Sequence, residues 1–424
     1  MIQFLFKGII RDKNRSVLPV IVISIGVFLT VLFSAWFKGI FSDMINVNAN
    51  FSTGHVKIMT RAYADNADQM PNDLALLGAG ELIDSLNTAF PTLEWVERTN
   101  FGGLIDIADA NGDTRAQGMA MGQAIDFLTP GTREPERMNI PASIVKGGLP
   151  TQAGEALISN DFAERFHVKI GDPVTLFGST MNGGMAFANF TVAGTVRFGM
   201  RALDRGAILI DITDAQAALD MADAAGEILG FFKDGQYDAE QALQVKTAFN
   251  AKYEADTDEF APLMLRLNDQ KCLDEYLKMA NYISGIMTFI FILAMSIVLW
   301  NTGLLGGLRR YNEFGIRLAM GEEKKHIYRS LIIESILIGT IGSVVGTLLG
   351  LVAAFYLQEY GINFGSAIQG GGMMMPEVFR ADISPESFYI GFIPGLLSMV
   401  LGNALSGIGI YKRRTAVLFK ELSV

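Results

Sequence analysis

Residues 309–330 read RRYNEFGIRLAMGEEKKHIYRS, a basic, amphipathic segment that lies between two strongly apolar runs. Its six basic residues are Arg309, Arg310, Arg317, Lys324, Lys325 and Arg329. Short cytoplasmic loops of membrane proteins are enriched in Lys and Arg. The segment therefore predicts two membrane-spanning helices that are joined by a loop in the cytoplasm.

Four apolar stretches are long enough to cross a hydrocarbon core of about 30 Å, which takes roughly 20 helical residues. They cover residues 17–37, 282–308, 331–357 and 388–411, and Glu334 is the one charged residue inside them. The first stretch could instead be a signal peptide, because basic residues precede it. Its apolar run of 21 residues exceeds the roughly 7–15 of a signal peptide, so an uncleaved anchor fits better.

The basic residues that flank these stretches predict how the chain crosses the membrane. Residues 1–16 carry four Lys and Arg and residues 412–424 carry four, whereas residues 358–387 carry only one. We therefore expect both termini and residues 309–330 in the cytoplasm. Residues 38–281 and the 358–387 loop are expected outside the cytoplasm.

The region between the first two spans, residues 38–281, has the composition of a water-exposed domain. Residues 38–280 contain 19 Lys and Arg against 34 Asp and Glu, a net charge of −15. The whole chain is 50% hydrophobic, with a mean hydropathy of +0.31 and a net charge of −10. This acidic balance argues against nucleic acid as a partner. Cys272 is the single cysteine, so an intrachain disulfide is impossible.

Short apolar runs bounded by Gly, Asp and Asn predict an α+β fold in two subdomains for this ectodomain. The predicted strands are residues 54–59, 102–109, 115–122, 173–178, 189–196 and 207–212. The predicted helices are residues 80–89, 159–166, 213–224 and 239–253. Residues 181–186, MNGGMA, are expected to form a turn, and residues 272–281 are expected to extend the second span as one helix.

The sequence contains no recognisable catalytic or phosphate-binding motif. GxxxxGK[ST], HExxH and GxSxG are all missing. The three histidines, His55, His167 and His326, are isolated, and the acidic residues Glu134 and Glu136 are expected to be solvated loop charges. We therefore expect no catalytic residue, no metal site and no cofactor on this chain, and no enzyme activity of its own.

The opening segment has the periodicity of a short amphipathic helix. Residues that share one face recur at i, i+3, i+4 and i+7, namely Tyr311, Phe314, Gly315 and Leu318. Glu313 and Arg317 can pair at i, i+4, and Gly321 ends the run before Glu322 and Glu323 open a new helix. Two interpretations are open: a connector at the lipid headgroups, or a helix whose apolar face docks in the groove of a cytoplasmic protein.

The segment NEFGIRLAMGEEKKHI, followed by IIESILIGTIGSVVGTLLG, resembles the cytoplasmic loop and third span of the MacB/FtsX-type ABC transporter permeases. Phe314 and Leu318 depart from that family's usual EIGIRRALGAS pattern, and Glu322 and Glu323 replace its Ala-Ser. A second stretch, residues 144–178, resembles the ectodomain of the same family.

Two short runs in the ectodomain point to a particular branch of the family. GHVKI at residues 54–58 and IVKGGLP at residues 144–150 are most similar to the lipoprotein-releasing, LolC/LolE-like branch. The resemblance covers nearly the whole chain and implies four transmembrane α-helices. It also implies a large α+β extracytoplasmic domain, like the MacB periplasmic core, between helices 1 and 2.

By this resemblance, the loop between the second and third spans is a coupling helix that seats in a groove of a separate ATPase subunit. The residues that would receive its motion are Glu313, Phe314, Gly315, Ile316, Arg317, Ala319, Met320 and Gly321. ATP and Mg would be bound by that partner, which explains the missing phosphate loop. Only 16 residues precede the first span, where MacB has an ATPase domain, so a stand-alone permease is expected.

Small residues and one acid mark the third span. Gly342, Gly346 and Gly350 are spaced by four and permit close helix packing, either within one subunit or across a dimer. Glu334 lies one turn inside the span and is expected to face a basic group of the coupling segment. The outer loop 368–379, IQGGGMMMPEVF, is either a flexible linker or an adaptable Met-rich surface.

The function that the resemblance implies is that of a permease subunit, in a dimeric, multi-pass protein of a bacterial inner membrane, which works by mechanotransmission. The expected cargo is a lipoprotein or another amphiphilic molecule. The alternatives are a tripartite efflux permease for drugs or peptides and a non-transporting, FtsX-like regulator of cell-wall hydrolases. The expected partners are two ATPase copies, an identical or homologous second permease, membrane lipid and a periplasmic carrier or adaptor.

Overall fold

The structure is a computed structural model that describes residues 13–109, 113–270, 273–308, 310–364 and 378–412. Outside these residues lie several features named above: the basic residues before position 13 and after position 412, Cys272, Arg309 and most of the 368–379 loop. The chain divides into two compact units. The membrane unit comprises Met1–Ser42, Met279–Asn363 and Val378–Val424, and the ectodomain unit comprises Asp43–Lys278 and Phe364–Glu377.

The described α-helices are numbered in chain order. They are α1 Lys13–Asn48, α2 Arg61–Asn66, α3 Ala79–Ala89, α4 Glu134–Arg137, α5 Ile140–Ser143, α6 Asn160–Phe166, α7 Arg201–Asp204, α8 Ile212–Ala218, α9 Ala239–Asn250, α10 Leu273–Leu308, α11 Tyr311–Ala319, α12 Lys324–Tyr360 and α13 Ser398–Lys412.

The strands are numbered in the same way. They are β1 Val56–Thr60, β2 Leu76–Leu77, β3 Leu93–Ala108, β4 Thr114–Ile125, β5 Ile144–Gly147, β6 Glu155–Ser159, β7 Pro173–Ser179, β8 Met185–Val196, β9 Ala207–Asp211, β10 Ala224–Ala225, β11 Glu227–Phe232, β12 Pro262–Arg266, β13 Ile362–Asn363 and β14 Val378–Phe379.

The membrane unit contains four helical spans that are long and apolar enough to cross a membrane. Three of them are α1, α10 and α12, with 36, 36 and 37 residues, so each is longer than the roughly 20 residues that a bilayer core requires. A helix suits these runs because it satisfies every backbone hydrogen bond inside its own segment. Along the chain, the ectodomain lies between the first and the second of these spans.

The fourth span begins irregularly. A 3-10 turn covers Pro385–Phe388 and a π-helix covers Ile393–Leu397 before α13 continues as an α-helix. Pro394 has no N–H to donate, which accounts for the local departure from α-helical geometry. Gly391 lies against Val27 of α1, and a Cβ there would collide with that side chain.

One half of the ectodomain is an antiparallel sheet with two helices. Its strand order is β12-β1-β11-β3. Along the chain, α3 connects β1 to β3 and α9 connects β11 to β12. This is the β-α-β-β-α-β arrangement of ferredoxin-like folds. Its core includes Trp95, Ile228 and Phe249, all of them buried.

The other half is a closed ring of six strands, which consists of part of β3 and five strands inserted between β3 and β11. β3 pairs with β4 and β7, β4 with β9, β9 with β6, β6 with β8, and β8 with β7. Ring closure removes exposed strand edges. The interior is filled by apolar side chains such as Ile105, Leu176 and Ile208. Two separate cores therefore support the two subdomains, and the 16-residue strand β3 belongs to both.

A buried ion pair ties the start of the ectodomain to strand β3. Arg98 and Glu134 are both 0% exposed and lie 2.7 Å apart. The same guanidinium donates to the carbonyls of Phe51 and Asn50 at 2.6 and 2.8 Å. Burial would raise the pKa of Glu134, but Arg98 and Arg137 hold it below its usual value. The expectation that Glu134 is a solvated loop charge is therefore wrong.

The helix predicted over residues 213–224 is shorter than expected. α8 ends at Ala218, and Asp220 and Asp223 then adopt positive φ angles of 57° and 50°. Aspartate tolerates this left-handed conformation because its short side chain can bond to nearby backbone. The chain can thus turn into β10, which pairs with β2.

Candidate functional site

The candidate site is the segment between α10 and α12, which includes the nine-residue helix α11. Its end is fixed by Gly321, whose φ of +89° lies in the left-handed region that favours glycine. The N–H groups of Gly321 and Glu322 donate to the carbonyls of Leu318 and Arg317 at 3.1 Å. This bonding satisfies helix-end carbonyls and lets the chain turn directly into α12.

One face of α11 packs inside its own chain. Tyr311 and Phe314 form a buried cluster with Ile327 and Leu331 of α12, and Phe314 is 1% exposed. Burying a large apolar side chain contributes about 1.5–3 kcal/mol. Gly315 is buried as well. The cluster therefore holds α11 against the first two turns of α12.

This packing corrects the expected direction of the apolar face. The family resemblance implied that Phe314 and Gly315 face a partner ATPase, but both are buried within this chain and are not accessible for docking. The physical reason is that Ile327 and Leu331, which lie at i, i+4 on α12, form an apolar stripe that is buried only when another apolar surface packs on it. A helix as short as α11 is not stable alone, so it covers that stripe.

Two polar contacts fix the start of α11. The Tyr311 hydroxyl donates to the carbonyl of Ser406 in α13 at 2.6 Å. The Arg310 guanidinium lies 2.8 Å from the carboxylate of Glu334 in α12, with side chains 20% and 12% exposed. An acid in a membrane span needs such a partner. The start of α11 is thus linked to α12 and to α13.

Glu322 joins the end of α11 to the start of α12. Arg317 donates two hydrogen bonds to its carboxylate, each of 2.6 Å, and His326 Nδ1 lies 2.7 Å away. Bidentate pairs of this kind are specific in geometry, and hydrogen bonding by Arg317 lowers the pKa of Glu322. Glu313, which the sequence paired with Arg317, lies 3.5 Å from Arg310.

The opposite side of the segment is accessible. We define the outer face of α11 as Ile316 and Ala319 together with the two residues that follow the helix, Met320 and Gly321, all of them exposed. Ile316 is 52% exposed and Met320 is 75% exposed. These two lie at i, i+4 and therefore share one side of the helix. Of the residues that the resemblance implied for coupling, Ile316 and Met320 offer apolar surface for a partner.

The three glycines of α12 lie against α1. A Cβ at Gly342, Gly346 or Gly350 would approach α1 side chains to within 2.7, 2.7 and 2.9 Å. The α1 residues concerned are Ile23, Val27 and Val31. Ser24 Oγ also donates to the Gly342 carbonyl at 3.2 Å. The glycines thus permit close packing of two helices within one chain.

Sequence reasoning missed the contacts that α13 makes with this site. Besides Tyr311, Tyr328 donates through its hydroxyl to the Ala404 carbonyl at 3.4 Å. The available signal was chemical, because a tyrosine hydroxyl among apolar residues needs a hydrogen-bond partner. The identity of that partner depends on tertiary structure. Among the described residues, no group of three His, Cys, Asp or Glu side chains could hold a metal ion.

Two family models match the chain. The model described as MacB-like periplasmic core domain matches residues 16–257, and the model described as FtsX-like permease C-terminal matches residues 285–414. No curated protein matches it. A similar solved structure is the crystal structure of the periplasmic region of MacB from Actinobacillus actinomycetemcomitans. It is 9% identical, covers 55% of this chain and 94% of that chain, and has a TM-score of 0.36.

The two sequence matches, with four transmembrane helices and an α+β ectodomain between the first and second, define a class of protein. The chain belongs to the MacB/FtsX family of permeases. This family supplies permease components of ABC transporters and related regulators, and its members are multi-pass proteins of the inner membrane.

Proposed function

We propose that the chain couples ATP hydrolysis by a separate ATPase subunit to the extraction or export of a lipoprotein or another amphiphilic cargo at the periplasmic face. The observation that carries this proposal is the two-sided structure of α11. Its inner face is fixed to α12, while Ile316 and Met320 on its outer face are exposed. An apolar helix face on a rigid base suits docking into a groove.

The contacts at the site give a route by which motion could pass into the membrane unit. A force on the outer face of α11 would reach α12 through the Phe314 cluster and through the ion pair of Arg310 with Glu334. It would reach α13 through Tyr311. Because packed interiors do not deform continuously, such a force would shift these helices together. This is the step that mechanotransmission requires.

The helix α10 could carry the same motion outward. It is continuous over 36 residues, which corresponds to about 54 Å at 1.5 Å per residue. In the proposed orientation both termini and residues 309–330 are cytoplasmic and the ectodomain is periplasmic. Two ATPase copies would bind ATP and Mg, and a second permease would complete a dimer. The LolC/LolE-like runs in the ectodomain support a lipoprotein as the cargo.

Co-purification tests this proposal. The tagged chain is isolated from its native membrane, and the retained ATPase subunit is quantified by mass spectrometry. The double variant Ile316→Asp, Met320→Asp should retain about one tenth of the wild-type amount of ATPase or less. A lost apolar burial of about 1.5–3 kcal/mol corresponds to a loss of affinity of about tenfold or more. Leu243→Asp, at an exposed position of the ectodomain, is the matched control. Equal ATPase retention by the double variant would contradict the proposal.

A further inference from the structure

The six-stranded ring has an apolar outer surface on one side. Met119, Leu104, Phe177 and Phe187 lie directly opposite one another on β4, β3, β7 and β8. Opposed residues on paired strands point to the same side of a sheet. With strands about 4.8 Å apart, this row is roughly 14 Å long. The rings of Phe177 and Phe187 contact edge to face, with centroids 5.2 Å apart.

A second row widens this surface. Met121 lies opposite Gly102, and Met185 lies opposite Ser179, two residues along each strand from the first row. We call the whole surface the Met/Phe face; it comprises Leu104, Met119, Met121, Phe177, Met185 and Phe187. Met119 is 82% exposed, Met185 72%, Phe187 59%, Met121 44% and Leu104 43%. Exposed apolar patches of this kind mark interaction sites.

The opposite side of the ring differs from the Met/Phe face, because its outward apolar residues are buried by other segments of the ectodomain. On β6 and β9, the outward residues Leu157 and Leu209 are buried beneath Ile140 and Phe198. Within the described residues, nothing comparable lies over the Met/Phe face, because five of its six side chains are more than 40% exposed.

Positive charge lies beside one end of the row. The N–H of Met121 donates to the Gly206 carbonyl at 2.8 Å, so the segment before Gly206 borders the β4 side of the face. That segment contains Arg201 and Arg205, both exposed. Neither forms an ion pair with another described residue. In a domain whose net charge is −15, two unpaired arginines next to an apolar surface favour a ligand that is both apolar and anionic.

We propose that the Met/Phe face binds the acyl chain of an anionic amphiphile, with the acidic head group at Arg201 and Arg205. Methionine side chains are flexible and adapt to an irregular hydrocarbon surface. A second copy of the ectodomain is a poorer occupant, because two domains of net charge −15 repel each other. A basic protein is disfavoured by the two arginines. The inference rests on the proposed function only in treating the amphiphile as cargo.

Photolabelling of the full chain tests the inference. The protein is placed in phosphatidylcholine nanodiscs without ATP or ATPase and exposed to an N-acyl aspartate that carries a diazirine at the end of its acyl chain. Labelled peptides are quantified by mass spectrometry, with labelling of the membrane helices as the internal reference. We expect labelling of residues 114–125 and 185–196 above that of α9, where Leu243 is also exposed.

Two variants separate the contributions of the chain and the head group. Met119→Glu with Phe187→Glu should reduce labelling of the face roughly tenfold, because each removes an apolar contact at an outward position. Arg201→Glu with Arg205→Glu should reduce labelling by the anionic probe but not by a probe with the same chain and a choline head group. The control Leu243→Glu should leave labelling unchanged.

Three results would overturn the inference. They are labelling of the Met/Phe face no stronger than that of α9, labelling that is unaffected by Met119→Glu with Phe187→Glu, and cross-links between two copies of the chain across the face. The coupling proposal would survive each of them, since the assay contains no ATPase. Conversely, failure of ATPase co-purification would leave the labelling pattern unchanged. The two proposals are therefore tested separately.

Discussion

Adding one methyl group at Gly346 should separate α1 from α12. A Cβ at this position would lie 2.6 Å from the carbonyl oxygen of Ser24 and 2.7 Å from Cβ of Val27. Both distances are shorter than real contacts allow, and the first partner is backbone that cannot rotate away. Relief of the contact requires the two helices to move apart along their packed length.

The size of the effect follows from two opposing contributions. Inserting a methyl group into a packed interior costs about 1–3 kcal/mol, whereas replacing glycine by alanine inside a helix gains about 0.5–1 kcal/mol. A matched control is Gly285→Ala on α10, where an added Cβ meets nothing within 4 Å. The helix-propensity gain is common to both variants, so their difference isolates the packing cost of about 1–3 kcal/mol.

The free energy of unfolding of the purified chain, measured by titration with SDS from a mild detergent, gives this difference directly. Gly346→Ala should unfold at lower SDS than wild type, and Gly285→Ala should unfold at equal or higher SDS. If the two variants have the same stability, α1 and α12 do not pack through Gly346. Gly346→Leu should be more severe and should also lower dimer yield and ATPase rate in the purified complex.

Three further predictions concern charge and topology. Glu334→Ala should lower the free energy of unfolding by about 1–3 kcal/mol, because it removes a charged hydrogen bond from Arg310, and Glu334→Gln should cost less; equal stability of all three proteins would contradict this. Burial lowers the pKa of His55 from 6.5 to about 4, so between these pH values the unfolded chain binds a proton that the folded chain does not. The free energy of unfolding should therefore fall as the pH drops. Between pH 7 and about 4.5, this fall should be smaller in His55→Asn than in wild type by about 2–3 kcal/mol. Identical pH profiles of the two proteins would refute this prediction. With the native cysteine replaced, Leu243→Cys should react with an impermeant thiol reagent from outside the cell and Met320→Cys only from the cytoplasm, and external labelling of position 320 would reverse the proposed topology.

Much of the membrane unit was predictable because its signals are local. Runs of about 20 apolar residues specify spans by length and composition alone, and glycines spaced by four on α12 predict a close helix contact. The partner of those glycines was not predictable. Whether α12 packs on α1 of the same chain or on another subunit depends on helix positions that no local pattern encodes.

The ectodomain shows the same boundary between local and long-range information. Its strands were visible as short apolar runs, but ring closure depends on the parallel pairs β4 with β9 and β6 with β8. These pairs join residues that are far apart in sequence and separated by other elements. The Met/Phe face was equally invisible, because alternate residues of four strands become one surface only when the register is known.

Helix α11 shows that a correct periodicity can still give a wrong prediction of what the apolar face contacts. The sequence placed Phe314 on an apolar face of a helix, which α11 confirms. It did not reveal that Ile327 and Leu331 lie close enough to take up that face. The accessible residues Ile316 and Met320 belong to the set that the resemblance implied, but they fall beside the apolar stripe of Tyr311, Phe314, Gly315 and Leu318, so periodicity alone did not single them out.

We propose that the outer face of α11 receives the work of an ATPase and that the chain delivers this work to an amphiphilic cargo. ATP-dependent release of an acylated protein from proteoliposomes that contain the chain and its co-purifying ATPase tests this most directly. Wild type should release cargo only with ATP, and Ile316→Asp with Met320→Asp should reduce release roughly tenfold, in parallel with its loss of ATPase. Release at the wild-type rate by the variant, or release that does not require ATP, would show that the outer face of α11 does not couple an ATPase to cargo release.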